Sequence, residues 1–265
     1  MRRLLHWLIL AFGLAATGAA QAGTLQDGAV VHFDHILGLY SKGQYTKDFG
    51  VPVYAHMERA EIVALSPSHK ALRVVTPGGA WGATNSGAAL KTQLPGCDAY
   101  SLAYQVRFGE TDSTGFDFNK GGKLPGLCGG RCNTGGKRPT GDGWSARYMW
   151  RPAGQLVIYL YHVDQQRDYG DDLPLHVTVE LGKWYTLKQY IKLNTNDLKN
   201  GVLQVWVNDQ LVLDRDDLRY RLGDQAPIDH FLFSHFFGGH DASWAPRIAS
   251  AIYFNAFRVS HEACR

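Results

Sequence analysis

The fold is decided by the stretch Trp144–Tyr161, which reads WSARYMWR (Trp144–Arg151), PAG (Pro152–Gly154) and QLVIYLY (Gln155–Tyr161). Both flanks alternate with a period close to two, the pattern of strands. A three-residue link with Gly in the left-handed position is a standard hairpin connection. With Ala153 at the centre, Arg147 faces Tyr159 and Ser145 faces Tyr161. Alternation then puts Ser145, Arg147, Tyr159 and Tyr161 on one side, and Trp144, Tyr148, Trp150, Leu156, Ile158 and Leu160 on the other. The second side is a core face. The first is either a solvated face carrying cross-strand pairs or a surface that binds something polar. His162 points away from Arg147 by the same alternation and is expected to be a core or otherwise satisfied histidine.

Working outward, similar runs recur at Ala99–Phe108, Trp184–Leu193, Val202–Val207, Gln210–Leu213, His230–Phe237 and Ala251–Val259. Asn208-Asp209 reads as a tight turn, because both residues tolerate positive φ. No stretch carries a 3.6-residue apolar stripe over three turns. Short helices are expected, if anywhere, within 48–64 and 214–222. Many strands without a linker or repeat imply a single all-β domain, a β-jelly roll (concanavalin-like β-sandwich) of antiparallel sheets spanning 23–265.

Residues 1–22 read as a signal peptide. Arg2 and Arg3 precede an apolar run from Leu4 to about Ala16, and Ala20-Gln21-Ala22 forms an A-x-A site with cleavage after Ala22. That run is too short for a bilayer core of roughly 30 Å. A secreted or periplasmic protein is expected, a monomer with no membrane partner. The 265 residues carry 27 Lys plus Arg against 24 Asp plus Glu. Such balance does not suit nucleic-acid binding, which shows as a basic domain or stripe. Export makes disulfides permissible for the four cysteines. Cys128 and Cys132 are the natural local pair in a Gly-rich loop, leaving Cys97 with Cys264. Zinc is the rival reading, but there is one close Cys pair and no His near it in sequence. No metal or cofactor is expected.

Positive charge is concentrated between Gly115 and Arg151, where Lys120, Lys123, Arg131, Lys137, Arg138, Arg147 and Arg151 face only Asp117 and Asp142, a net +5. A local basic field on a near-neutral exported protein points to an anionic ligand. Several chemistries are excluded. Gly122-Lys123 is followed by Leu124, so there is no phosphate-binding P-loop, and no G-x-G-x-x-G opens a helix. The five glutamates form no paired E-x-D or E-x-E strand motif for glycoside hydrolysis. No G-x-S-x-G elbow appears. Cations and phenols without paired carboxylates suit β-elimination at a uronic acid. Cations stabilise the enolate-like transition state, and a tyrosine whose pKa nearby cations lower can move a proton.

The runs DFNKGGKLPGL, WSARYMWR, YLYH and FFGGHDASWAP (Phe236–Pro246) resemble the family-14 polysaccharide lyases and the related fungal glucuronan lyases. The resemblance covers about Ala99 to Val259. It implies a β-jelly roll that cleaves alginate or another polyuronate by β-elimination, with Lys123 and Arg147 neutralising the uronate carboxylate and Tyr159 and Tyr161 as acid and base. Ser145, Lys120, Asn119 and His240 are expected to contact substrate. The expectation is an endo-acting polyuronate lyase whose partner is an anionic polysaccharide, alginate first and glucuronan second. The rival is a non-catalytic β-sandwich that binds acidic glycans.

Overall fold

Tyr159 pairs with Arg147 and Tyr161 with Ser145 across two antiparallel strands, the register expected from the sequence. Ala153 and Gly154 in the link both take positive φ, 59° and 78°. The computed structural model describes residues 25, 27–109, 115–261 and 264; the expected signal segment lies outside them. Among these residues the strands are β1 (Val30–Val31), β2 (Gly38–Leu39), β3 (Pro52–His56), β4 (Ala60–Ser66), β5 (His69–Thr76), β6 (Ala88–Cys97), β7 (Ala99–Phe108) and β8 (Gly122–Gly130). They continue as β9 (Gly143–Trp150), β10 (Gln155–Tyr161), β11 (Asp171–Thr178), β12 (Trp184–Lys192), β13 (Gly201–Val207), β14 (Gln210–Leu218), β15 (Ile228–Phe237) and β16 (Ser250–His261).

Two antiparallel sheets result. One runs β14-β13-β12-β7-β16-β5-β4-β2, with β1 also on β16; the other runs β11-β10-β9-β8-β15-β6-β3. The expected jelly-roll architecture is what forms. Between the sheets lie the six residues assigned to the hairpin's core face, joined by Tyr104, Phe231, Phe233, Phe254 and Phe257. Tyr104 and Phe257 stack with ring centroids 4.9 Å apart. Burial of so many aromatics is the main stabilising contribution.

The helix expectation needs correction. The eight-residue helix α1 spans Lys42–Phe49, capped by Ser41 and Gln44 in a reciprocal box. Segment 48–64 holds only its end and then β3 and β4, while 214–218 continues β14. These strands lie at or near sheet edges, where exposed residues interrupt the alternation. The Gly-rich loop is also a correction, because Gly122–Gly130 is strand β8 in the middle of its sheet. Its glycines answer to neighbours that cross it. A Cβ at Gly122 would lie 2.2 Å from the Trp150 ring, and one at Gly126 2.9 Å from Arg147 Cγ. Asn208 and Asp209 have φ of 49° and 63°, as the tight turn requires.

Both expected disulfides form. Cys97 bonds Cys264 with Cα atoms 4.9 Å apart, and Cys128 bonds Cys132 at 5.0 Å. The fold also brings His230 of β15 beside Cys128 and Cys132, a proximity that sequence spacing hid. Its Nδ1 lies 2.5 Å from Asp229 Oδ1.

Candidate active site

The outer face of the seven-stranded sheet carries a cleft of about 620 Å³ whose lining includes Lys123, Arg147, Tyr159 and Tyr161. Each side chain is placed by strand alternation: Lys123 on β8, Arg147 on β9, both tyrosines on β10. Neither hairpin side is therefore a plain solvated face, since every residue of β9 is buried.

Arg147 is only 4% exposed. No carboxylate pairs with it among the described residues, and its Nε has no hydrogen-bond partner. Burial lowers its pKa, a pull that the neighbouring phenols Tyr54, Tyr161 and Tyr159 oppose. Lys123 Nζ sits 3.8 Å from the Tyr159 ring centroid and 2.8 Å from Met149 Sδ. Burial, followed by the charges of Arg147 and Arg151, holds its pKa well below the usual lysine range. The sequence expectation for Lys123 is a cation on the substrate carboxylate; a lowered pKa suits it instead to accept a proton.

The tyrosines differ from the sequence expectation. Burial raises the Tyr159 phenol's pKa, a hydrogen bond to Tyr161 adds to the rise, and the cations Arg151 and Arg147 only oppose it. Tyr159 is thus held as a neutral phenol, a proton donor. The two rings meet edge to face at 5.4 Å, and the Tyr161 hydroxyl accepts the Gly136 backbone N–H at 3.0 Å.

A larger hollow of about 880 Å³ lies between residues 27–35, α1 and the end of β16. Its lining charges include Asp27, Asp34 and Asp48 against Lys47, the wrong sign for an anionic substrate. His35 and Tyr40 are both hydrogen-bonded to Asp48 there.

The sequence model for polysaccharide lyase 14 matches residues 65–257. The chain belongs to the polysaccharide lyase 14 family. The match begins upstream of Ala99, so the resemblance takes in β5 and β6 as well. Among solved structures, the alginate lyase Aly36B, captured with an alginate tetrasaccharide, is 27% identical with a TM-score of 0.80, covering 91% of this chain and 100% of its own. The marine PL-14 alginate lyase of Aplysia kurodai is 23% identical with a TM-score of 0.73, covering 89% of this chain and 100% of its own. The endo-β-1,4-glucuronan lyase of Trichoderma reesei is 12% identical at 0.52, covering 80% of this chain and 91% of its own; these last two share the fold. Curated proteins return no match.

Within this polysaccharide lyase, the expected substrate contacts separate. His240 lines the cleft at its rim, 73% exposed and 3.2 Å from Asp241. Lys120 is exposed, donates to Ser243 Oγ at 2.6 Å and lies 5.9 Å from the Trp244 ring centroid. Asn119 is a correction: its amide donates to the carbonyls of Ser243 and Ala245 at 3.0 and 2.6 Å, pinning the turn beside Trp244 of the cleft wall. Ser145 is another. It is fully buried and its hydroxyl donates to the Asn133 carbonyl at 2.6 Å, so it holds the loop whose Thr134 and Gly135 line the cleft. His162 is only half satisfied: its Nε2 lies 2.9 Å from Asp171 Oδ2, while its buried Nδ1 has no hydrogen-bond partner.

Sequence reasoning missed the pairing of Arg151 with Asp172, where Nε donates to Oδ2 at 2.8 Å, the buried Met149 against Lys123, and the cleft residues Arg167, Tyr169 and Trp244. Arg151 was visible in the basic segment, and Trp244 in FFGGHDASWAP. The acidic run and Pro174 concealed β11 and therefore Asp172.

Proposed function

We propose that this lyase cleaves an alginate-type polyuronate within the chain by β-elimination, after export from the cell. The observation that carries the reading is Arg147, a buried guanidinium without a carboxylate partner among the described residues. Such a group is costly unless a counter-charge arrives. A uronate carboxylate supplies it, and Arg147 then stabilises the enolate-like charge that develops as C5 loses its proton. The Lys123 amine takes that proton. The C5–H electron pair becomes the C4=C5 double bond, the C4–O4 bond breaks, and the Tyr159–Tyr161 phenol pair gives O4 its proton. Lys123 returns its proton to the pair through solvent to complete the cycle. Alginate is favoured over glucuronan because Aly36B, 27% identical, holds an alginate oligosaccharide. Two disulfides and the N-terminal pattern support export.

Polymannuronate, polyguluronate and glucuronan incubated with the enzyme test the reading. Growth of ultraviolet absorbance from the unsaturated product is expected with at least one alginate polymer. Growth with glucuronan alone would replace the substrate, and no growth with any would overturn the reading.

A further inference from the structure

Beyond Arg147, one row of cross-strand partners continues over the sheet. Arg147 pairs with Gly126, Gly126 with Leu232, Leu232 with Lys91, and Lys91 with Tyr54. Cross-strand partners share a face, so Lys91 of β6 and Tyr54 of β3 face the same side as the catalytic set. The neighbours Leu90 and Ala55 point into the core, which fixes that direction.

The row is flat in the middle. Gly126 has no side chain, Leu232 is 3% exposed, and the Arg147 side chain passes over Gly126. At about 4.8 Å per strand, the Tyr54 backbone lies about 19 Å from that of Arg147. Their side chains reach toward each other, so that Arg147 opposes the rise burial imposes on the Tyr54 phenol's pKa. Tyr54 is 42% exposed, and Lys91 Nζ lies 5.8 Å from its ring centroid. No carboxylate pairs with Lys91 among the described residues.

We propose that Lys91 and Tyr54 form a further subsite that binds a second uronate of the same polymer, one or two sugars from the uronate held by Arg147. Lys91 meets the carboxylate as a charge-assisted donor, and the Tyr54 ring supports a sugar face. The inference rests on the polyuronate reading and adds a length preference to it. Oligomers that span from Arg147 to Lys91 gain a contact that short ones lack.

The test compares kcat/KM for long and short oligouronates in wild type, Lys91→Ala, Lys91→Gln and Tyr54→Ala, with thermal midpoints as a folding check. In both Lys91 variants the long-to-short ratio should fall about tenfold, the loss of one charge-assisted contact. The fall should come through KM. It should also shrink at high salt, where the wild type itself loses part of its preference. An unchanged ratio in the folded Lys91 variants overturns the subsite while leaving the lyase reading intact. If the wild type cleaves no polyuronate, the lyase reading fails, and calorimetric titration with the same oligomers decides the subsite. Weaker binding of long oligomers by Lys91→Ala supports it, and equal or absent binding overturns it.

Discussion

Lys123 Nζ rests 3.8 Å from the centre of the Tyr159 ring, so the group assigned as base covers the face of a phenol assigned to proton donation. The two side chains come from β8 and β10, with the Arg147 strand between them. Their protonation preferences are pushed apart, Lys123 down and Tyr159 up, mainly by shared burial. Such divergence supports the proposed roles of Lys123 as base and Tyr159 as acid.

The first prediction follows from that divergence. The kcat/KM should rise with pH as Lys123 loses its proton, below the ordinary lysine range, and fall only above the ordinary phenol range, where Tyr159 ionises. A pH profile at constant ionic strength measures both limbs. A limb that rises only through the ordinary lysine range, about 10.5, would remove Lys123 from the role of base.

Lys123→Met should lose activity by on the order of a hundredfold or more, yet gain stability near neutral pH. A depressed lysine pKa means that the unfolded chain binds more protons than the folded one, between the folded pKa and about 10.5. Wild-type stability therefore rises with pH across that window. The advantage of Lys123→Met should shrink toward pH 10.5 in urea titrations. A variant less stable than wild type at pH 7 contradicts the assignment.

Tyr159→Phe and Tyr161→Phe should each lower kcat by on the order of a hundredfold, because the proposed proton transfer to O4 runs through the two adjacent phenols. A residue serving only as a sugar-stacking platform would keep most of its turnover as Phe. Near-full activity in both variants would exclude the phenol pair as proton donor.

His235 is buried among Phe116, Trp150 and Phe254, and neither ring nitrogen has a hydrogen-bond partner. Burial pushes its pKa down to about 3. A depressed histidine pKa removes stability as pH falls from the unfolded value of about 6.5 toward 3, on the order of a few kcal/mol in all. His235→Phe should flatten acid denaturation over that range. Identical acid midpoints for the two proteins would refute the burial effect.

The two disulfides should separate in kind. Loop length assigns about 5 kcal/mol to Cys97–Cys264 and about 2 kcal/mol to Cys128–Cys132. Serine pairs at each bridge should therefore give the larger fall in thermal midpoint for Cys97–Cys264. The smaller bridge leads into the loop whose Gly136 N–H holds the Tyr161 oxygen, so its loss should lower kcat more than its stability effect suggests. Equal midpoints, or unchanged kcat without Cys128–Cys132, would count against these separate roles.

The hairpin was legible because Trp144–Tyr161 alternates cleanly and its link fixes the register. From it came the core face and the shared face of Arg147, Tyr159 and Tyr161. Strand β8 was not legible, since glycines read as a loop until the side chains of Trp150 and Arg147 are seen lying across them. The direction of the tyrosine shift was also hidden. Charge can be counted along a chain, but the desolvation that outweighs it here depends on packing. Ser145 shows the same limit. Alternation gave its face, and only the fold revealed its hydroxyl bonded to the Asn133 carbonyl in the loop that borders the cleft.

The position of β16 has a consequence for biosynthesis. This last strand lies between β5 and β7 and also carries β1, so the larger sheet lacks its middle until residues 250–261 have left the ribosome. Until then β5 and β7 present open ladder edges with no mutual contact to close them. A nascent chain cannot lock prematurely around an incomplete sheet. Under the export proposed above, that delay would suit a polypeptide threaded, still extended, through a translocation pore before its cysteines meet an oxidant.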